Sequence, residues 1–124
     1  MTTDKTGAAV TVTHQPTAQR FEIAVDDATS SGPVTAGFTA YRERDADDTR
    51  QRVFFHTEVA EEFGGRGLGT ILIRRALDET RADGFVIVGV CPMVAAFLRK
   101  HPEYADAARR PTPDLLRWLD GELS

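Results

Sequence analysis

The sequence has a single cysteine, Cys91, among its 124 residues. No intrachain disulfide can form, and no cysteine-rich metal site can be built. The three histidines, His14, His56 and His101, lie far apart without ligand spacing, so no metal is expected. No apolar run approaches the roughly 20 residues that a membrane span needs. Residues 1–13 lack the basic segment followed by an apolar stretch that marks a signal peptide, so a cytoplasmic protein with no membrane contact is expected. Basic charge is also scarce. With 15 Lys and Arg against 19 Asp and Glu the net charge is -4, which argues against nucleic acid, whose phosphates are held by clustered cations. Arg66, Arg74 and Arg75 remain as local groups for an anionic cofactor.

What is present fits one soluble domain: 41% hydrophobic and 27% charged residues, in a length that supports a single core. The chain is organised around Phe63-Gly64-Gly65-Arg66-Gly67-Leu68-Gly69-Thr70. This stretch lies between the apolar run Val53–Val59 and a helical pattern beginning at Ile71, so it reads as strand, glycine turn and helix start. Glycines leave successive N–H groups unshielded, and a helix N-terminus adds unpaired donors and a partial positive charge. Such a turn suits a phosphate; it is also ordinary turn punctuation. A Walker loop is excluded because Gly69 is followed by Thr70 and Ile71 rather than Lys and Ser or Thr, and a dinucleotide fingerprint because Thr70 stands where its third glycine belongs.

Taken in order, residues 1–18 show little periodicity and are expected to be a flexible leader. Phe21, Ile23 and Val25 alternate as in a half-buried strand, 26–33 reads as a turn, and 35–41 as a second strand in an antiparallel hairpin. Seven of residues 42–51 are charged and none is a large apolar one, so the stretch reads as an exposed loop. In the strand 52–59, strict alternation puts Phe54, His56 and Glu58 on one face and Val53, Phe55, Thr57 and Val59 on the other. His56 and Glu58 are candidates for acid–base work; the alternative is a structural His beside a strand-end Glu. The helix over 67–83 carries an apolar stripe, with Arg74–Asp78 and Arg75–Glu79 expected to pair, and Gly84 stops it. Residues 85–90 read as a buried strand reached by a parallel crossover. Pro92 opens a helix over 92–100, which puts Cys91 at a helix N-terminus, where the dipole favours a thiolate. An isolated cysteine also serves as a small buried hydrophobe. His101 is placed to cap that helix. Thr112 and Pro113 begin a short C-terminal helix whose Leu115, Leu116, Trp118 and Leu119 cover either the core or a partner.

Together, His56-Thr57-Glu58-Val59, Gly65-Arg66-Gly67-Leu68-Gly69, Ala76-Leu77-Asp78 with Arg81, Cys91-Pro92 and Arg99-Lys100-His101-Pro102-Glu103-Tyr104 resemble the small single-domain GCN5-related N-acetyltransferases. The resemblance is to the compact branch with a cysteine in the active site. It implies an α/β (α+β) fold, with a mainly antiparallel mixed sheet and one parallel crossover, over 19–105, leaving 106–124 as a C-terminal extension. It also implies an enzyme that moves an acetyl group from acetyl-CoA to an amine, either a small molecule or a protein lysine. The alternative is a non-catalytic module of the same fold that binds CoA or a protein partner. The cosubstrate would be held at Gly64, Gly65, Arg66, Gly67, Leu68, Gly69 and Thr70, the N–H groups of the last six taking the pyrophosphate, and along the backbone of Thr57, Glu58 and Val59. Gly64 departs from the superfamily, which usually has Gln or Arg there; Gly89 departs from the branch, which often has proline. By carry-over Cys91 and His56 are the catalytic pair. Two mechanisms are open: Cys91 accepts the acetyl group as a thioester with His56 as its base, or the amine attacks directly after His56 or Glu58, through water, takes its proton. A monomer or small homo-oligomer is expected.

Overall fold

Phe21, Ile23 and Val25 are all fully buried, and their alternation makes Arg20–Asp26 a strand with one face in the core. In this computed structural model, which describes residues 2–26, 32–46 and 48–124, that strand, β2, has a neighbour the periodicity did not reveal. β1 (Val10–Gln15) pairs with it antiparallel, Val10 opposite Val25 and Gln15 opposite Arg20. Residues 1–18 are therefore not a free leader. The strand escaped notice because only Val10 is buried, while Thr11, Thr13 and Gln15 face solvent. Its polar His14 nonetheless belongs inside, stacked on Phe21 at 4.1 Å and hydrogen-bonded to the Tyr41 hydroxyl.

β3 (Pro33–Ala46) and β4 (Thr49–Val59) form one long hairpin, paired from Gly37 opposite Val59 to Ala46 opposite Thr49. The turn expected at 26–33 falls mainly outside the described residues. The loop expected at 42–51 is instead strand on both sides of Asp47. Its arginines lie on rings rather than in water: Arg42 over Phe55, Arg44 over Trp118 and Arg50 over Phe85, at 5.2, 5.5 and 4.3 Å. Each such contact contributes about 0.5–1 kcal/mol at an exposed site, enough for charged residues to cover apolar surface.

After β4 come α1 (Leu68–Ala82), β5 (Val86–Gly89), α2 (Pro92–Lys100), β6 (Ala108–Arg109) and α3 (Pro113–Leu123). The six strands lie in sequence order; β1 to β4 are antiparallel, whereas β4, β5 and β6 run parallel. One face of the sheet packs Phe21, Ile23, Tyr41 and Phe54 against Leu68, Leu72 and Leu77 of α1 and Val94 and Phe97 of α2. The other packs Val53 and Val88 against Leu115 and Leu119 of α3. Burying each leucine is worth roughly 1.5–3 kcal/mol, so the C-terminal segment is the back cover of the sheet, and β6 within it is a strand of that sheet. Thr112 caps α3 by accepting from the Leu115 N–H (3.1 Å).

The two helical pairs expected on α1 do not form. Arg74 lies near Glu103 and His101, Asp78 accepts from the Tyr104 hydroxyl, and Glu79 approaches His14. Partners fixed by the tertiary fold outcompete an exposed pair worth a few tenths of a kcal/mol.

Two predictions follow from this packing. A Cβ at Gly37 would lie 2.3 Å from the Glu58 carbonyl oxygen, which is backbone and has no room to move. Gly37→Ala is expected to destabilise by at least ~1–3 kcal/mol, and an unchanged urea midpoint would refute the close approach. The second concerns Asp4, in the turn before β1. The Thr6 hydroxyl, the N–H groups of Thr6 and Ala8, and the Arg66 guanidinium pull its carboxyl down from 3.8 to about 2, against the opposing effect of burial. The folded value lies below the unfolded one, so its contribution is complete above 3.8 and is lost as pH falls through about 2. The stability difference between wild type and Asp4→Asn should therefore shrink across that window; a difference independent of pH would contradict the assignment.

Candidate functional site

The glycine turn begins after one 3-10 turn, Glu61–Phe63, anchored by the buried Phe63. Gly65 and Gly67 sit at φ +76° and +78°, in the left-handed region. Gly67 is the N-cap of α1; it has no side chain to cap the helix, and the first turn has no acidic residue. The first bond into the helix is Ile71 N–H to Gly67 O, 3.2 Å. Among the described residues no hydrogen bond takes up the N–H groups of Gly65, Arg66, Gly67, Leu68, Gly69 or Thr70. This is a row of donors at the positive end of a helix, about half an elementary charge.

Next to it the sheet opens. β5 pairs with β4 only as far as Gly89 opposite Phe54. There the Phe54 carbonyl accepts from the N–H groups of both Val90 and Cys91, at 3.0 Å each, and the chain turns into α2. β4 continues to Val59, paired with β3 alone. Around the opening lies a cleft of about 650 Å³ lined by Gly37, Phe38, Thr57, Glu58, Val59, Glu61 and Met93. A second, of about 210 Å³, is lined by Gly69, Thr70, Ile73, Met93, Phe97 and Lys100. Met93 borders both and is 42% exposed.

Strict alternation fails in β4, and the faces expected from it need correction. The register shifts between Ala40 opposite His56 and Tyr41 opposite Phe54, which leaves Phe55 without an opposite residue. This bulge gives two consecutive residues the same face. Phe54 and Thr57 therefore both point to the α1 and α2 side, where Thr57 is 9% exposed, while His56 and Glu58 are exposed on the side of Phe38.

The candidate side chains consequently form two groups. Cys91, the N-cap of α2, is 4% exposed, and its Sγ donates to Thr57 Oγ1 at 3.4 Å. Thr57 Oγ1 in turn shares a hydrogen bond with Thr39 Oγ1, 2.8 Å. On the opposite face His56 Nε2 bonds Glu58 Oε1 at 2.9 Å. A carboxylate only accepts, so that nitrogen carries a proton, and in the neutral imidazole Nδ1 is then the one with the lone pair. Cys91 and His56 are not brought together. His101, expected as a cap, is the C-cap of α2, with its ring stacked on Phe97 at 4.1 Å. Sequence reasoning missed the Thr57 hydroxyl, because only the bulge turns it inward, and Met93, which read as one helix residue among several. It also missed Asp4 and Thr6, which bond Arg66 of the glycine turn. Among the described residues no three His, Cys, Asp or Glu side chains gather in a way that would hold a metal ion.

The sequence profile of the GCN5-related N-acetyl-transferases matches residues 20–107. No curated protein matches the chain. Among solved structures, a GCN5-like protein from Staphylococcus aureus, determined in solution by NMR, is 22% identical with a TM-score of 0.57, covering 83% of this chain and 91% of that one. At that identity the likeness is one of fold. The profile spans most of the length, from β2 to the residue before β6, and takes in the glycine turn, the opened sheet and Cys91. The chain belongs to the GCN5-related N-acetyl-transferase family, whose chemistry is acetyl transfer.

Proposed function

We propose that this protein transfers the acetyl group of acetyl-CoA to an amine. The observation that carries the reading is the row of unpartnered N–H groups from Gly65 to Thr70 at the end of the opened β4 edge. Those donors fit a pyrophosphate, and the β4 backbone at Thr57, Glu58 and Val59 fits the amides of a pantetheine arm. Acetyl-CoA supplies the acyl group already activated as a thioester.

The proton chemistry belongs to His56. With Nε2–H held by Glu58, its Nδ1 is free to take a proton from the incoming ammonium or amine, and the Glu58 carboxylate steadies the imidazolium that results. Glu58 and Glu61 both line the larger cleft, which favours a cationic acceptor, whether a small polyamine or a lysine side chain. Of the two mechanisms, direct attack is the better supported. The partner of Cys91 Sγ is a threonine hydroxyl, which is no base, and His56 lies across the strand.

Calorimetric titration with acetyl-CoA tests the first half. Wild type is expected to bind, and Gly67→Glu to lose at least about tenfold, since it forces a side chain into the left-handed region and a carboxylate onto the anion site. No heat and no shift in melting temperature for the wild type would remove the acetyl-CoA reading. The second half is tested by CoA-thiol release with a panel of polyamines and lysine peptides. His56→Ala should lower turnover by about 10²–10⁴ with cosubstrate binding unchanged, whereas Cys91→Ala should stay within about tenfold of wild type. Intact-mass spectra of wild type incubated with acetyl-CoA should show no acetylated protein. A labile acetyl group on Cys91 would overturn the direct route in favour of a thioester intermediate.

A further inference from the structure

The turn that precedes β1 grips the glycine turn, although the two are 62 residues apart. Arg66 Nε donates to Asp4 Oδ2 at 2.6 Å, and Arg66 Nη2 to Thr6 Oγ1 at 3.3 Å. The Arg66 carbonyl accepts from the Lys5 N–H at 3.0 Å. Arg66 is thus held at its backbone and at the end of its side chain. Asp4 is itself fixed, its carboxylate out of contact with solvent and its Oδ1 accepting from the Thr6 N–H, the Thr6 hydroxyl and the Ala8 N–H at 2.8, 2.6 and 3.0 Å. The base of this turn is locked by the Val10 N–H donating to Thr2 O (3.0 Å) and by the bridge between Thr3 and Ala9.

A glycine turn has little of its own to fix it. Two residues at positive φ and a row of donors without internal acceptors leave many backbone conformations near in energy, and ordering a residue costs about 1–2 kcal/mol. Arg66 is the long side chain between the two positive-φ glycines, so a grip on both its ends fixes the peptide planes on either side. The Lys5 stem also runs along Gly67, with Cε 3.3 Å and Cγ 3.5 Å from where a Cβ would stand. Its ammonium has no carboxylate partner among the described residues, and it is carried to the positive end of α1, a placement that is unfavourable until an anion lies between them.

We infer that the N-terminal turn is part of the acetyl-CoA site, with Asp4 a positioning residue that holds the glycine turn in its binding shape through Arg66. This rests on the acetyl-CoA reading above. It extends the site to residues outside the matched span of 20–107.

The test is CoA affinity by calorimetry on the full chain, well below the melting temperature, for wild type, Asp4→Asn and Leu119→Ala. Leu119→Ala trims the core on the other face of the sheet and lowers stability without touching the N-terminal turn or Arg66. Asp4→Asn is expected to weaken CoA binding by about tenfold, the scale of one charge-assisted hydrogen bond, while Leu119→Ala changes the melting temperature and leaves the affinity within twofold. Thr6→Val serves the same purpose if Asp4→Asn fails to fold, with a loss of about threefold. Wild-type affinity in the clasp variants, or an equal loss in Leu119→Ala, overturns the positioning role while leaving the cosubstrate reading intact. Absence of CoA binding by the wild type itself removes both.

Discussion

The carbonyl of Phe54 is where the sheet divides. By accepting from both Val90 and Cys91 it ends the parallel pairing of β4 and β5 and sends the chain into α2. One residue later the bulge at Phe55 rotates β4, so that Thr57 joins the buried face and His56 and Glu58 turn to the exposed one. An unbulged strand would put Phe54 and His56 on the same face and a histidine in the core. An unbroken β4–β5 ladder would close the edge that now runs toward the glycine turn. Both faces of the sheet therefore reach the opening with different chemistry, a thiol and two hydroxyls on one, an imidazole and a carboxylate on the other.

The same strand also carries the buried charge that ties the layers together. Arg52 is 3% exposed, yet it donates to Thr80 of α1 and to Glu43 of β3, both at 3.1 Å, and lies 3.7 Å from Asp83. Its guanidinium is stacked on Phe85 at 4.2 Å and on Tyr41 at 4.8 Å. The Nε alone lacks a partner. Its carboxylate partners are half-exposed, which screens the ion pairs, but the buried guanidinium contacts Thr80, Glu43 and two rings at once, so α1 and the hairpin are registered against each other by a cation. That registry matters for the site because α1 begins at Leu68 and β4 ends at Val59, on the two sides of the glycine turn.

How much of this was legible follows from what each element buries. β2, β5, α1 and α2 showed themselves because their apolar residues recur at the period of the element, and Pro92 located the start of α2 and hence the place of Cys91. β1 and the outer half of the β3–β4 hairpin did not, because their pairing is made of backbone bonds and their side chains are threonines and arginines. Nothing in the residue types distinguishes an arginine stacked on Trp118 from one in solvent. The bulge was illegible for a related reason: Phe54 and Phe55 are equally apolar, and only their placement in opposite cores tells which of them breaks the alternation. The grip of Asp4 on Arg66 has no local signal at all.

The glycine turn resolves an apparent conflict in the proposal of an anion site on an acidic chain. Its one arginine is already neutralised by Asp4, so within the turn itself the attraction for an anion comes from backbone dipoles whose direction is set by φ, ψ and the start of a helix. Such donors carry no net charge and do not titrate, so they coexist with a net charge of -4 and with Glu58 and Glu61 at the neighbouring cleft. Lysines or arginines in their place would pair with those carboxylates and close the cleft proposed here for a cationic amine. On that proposal, anion binding by the backbone leaves the side-chain carboxylates and His56 free for the acceptor and its proton.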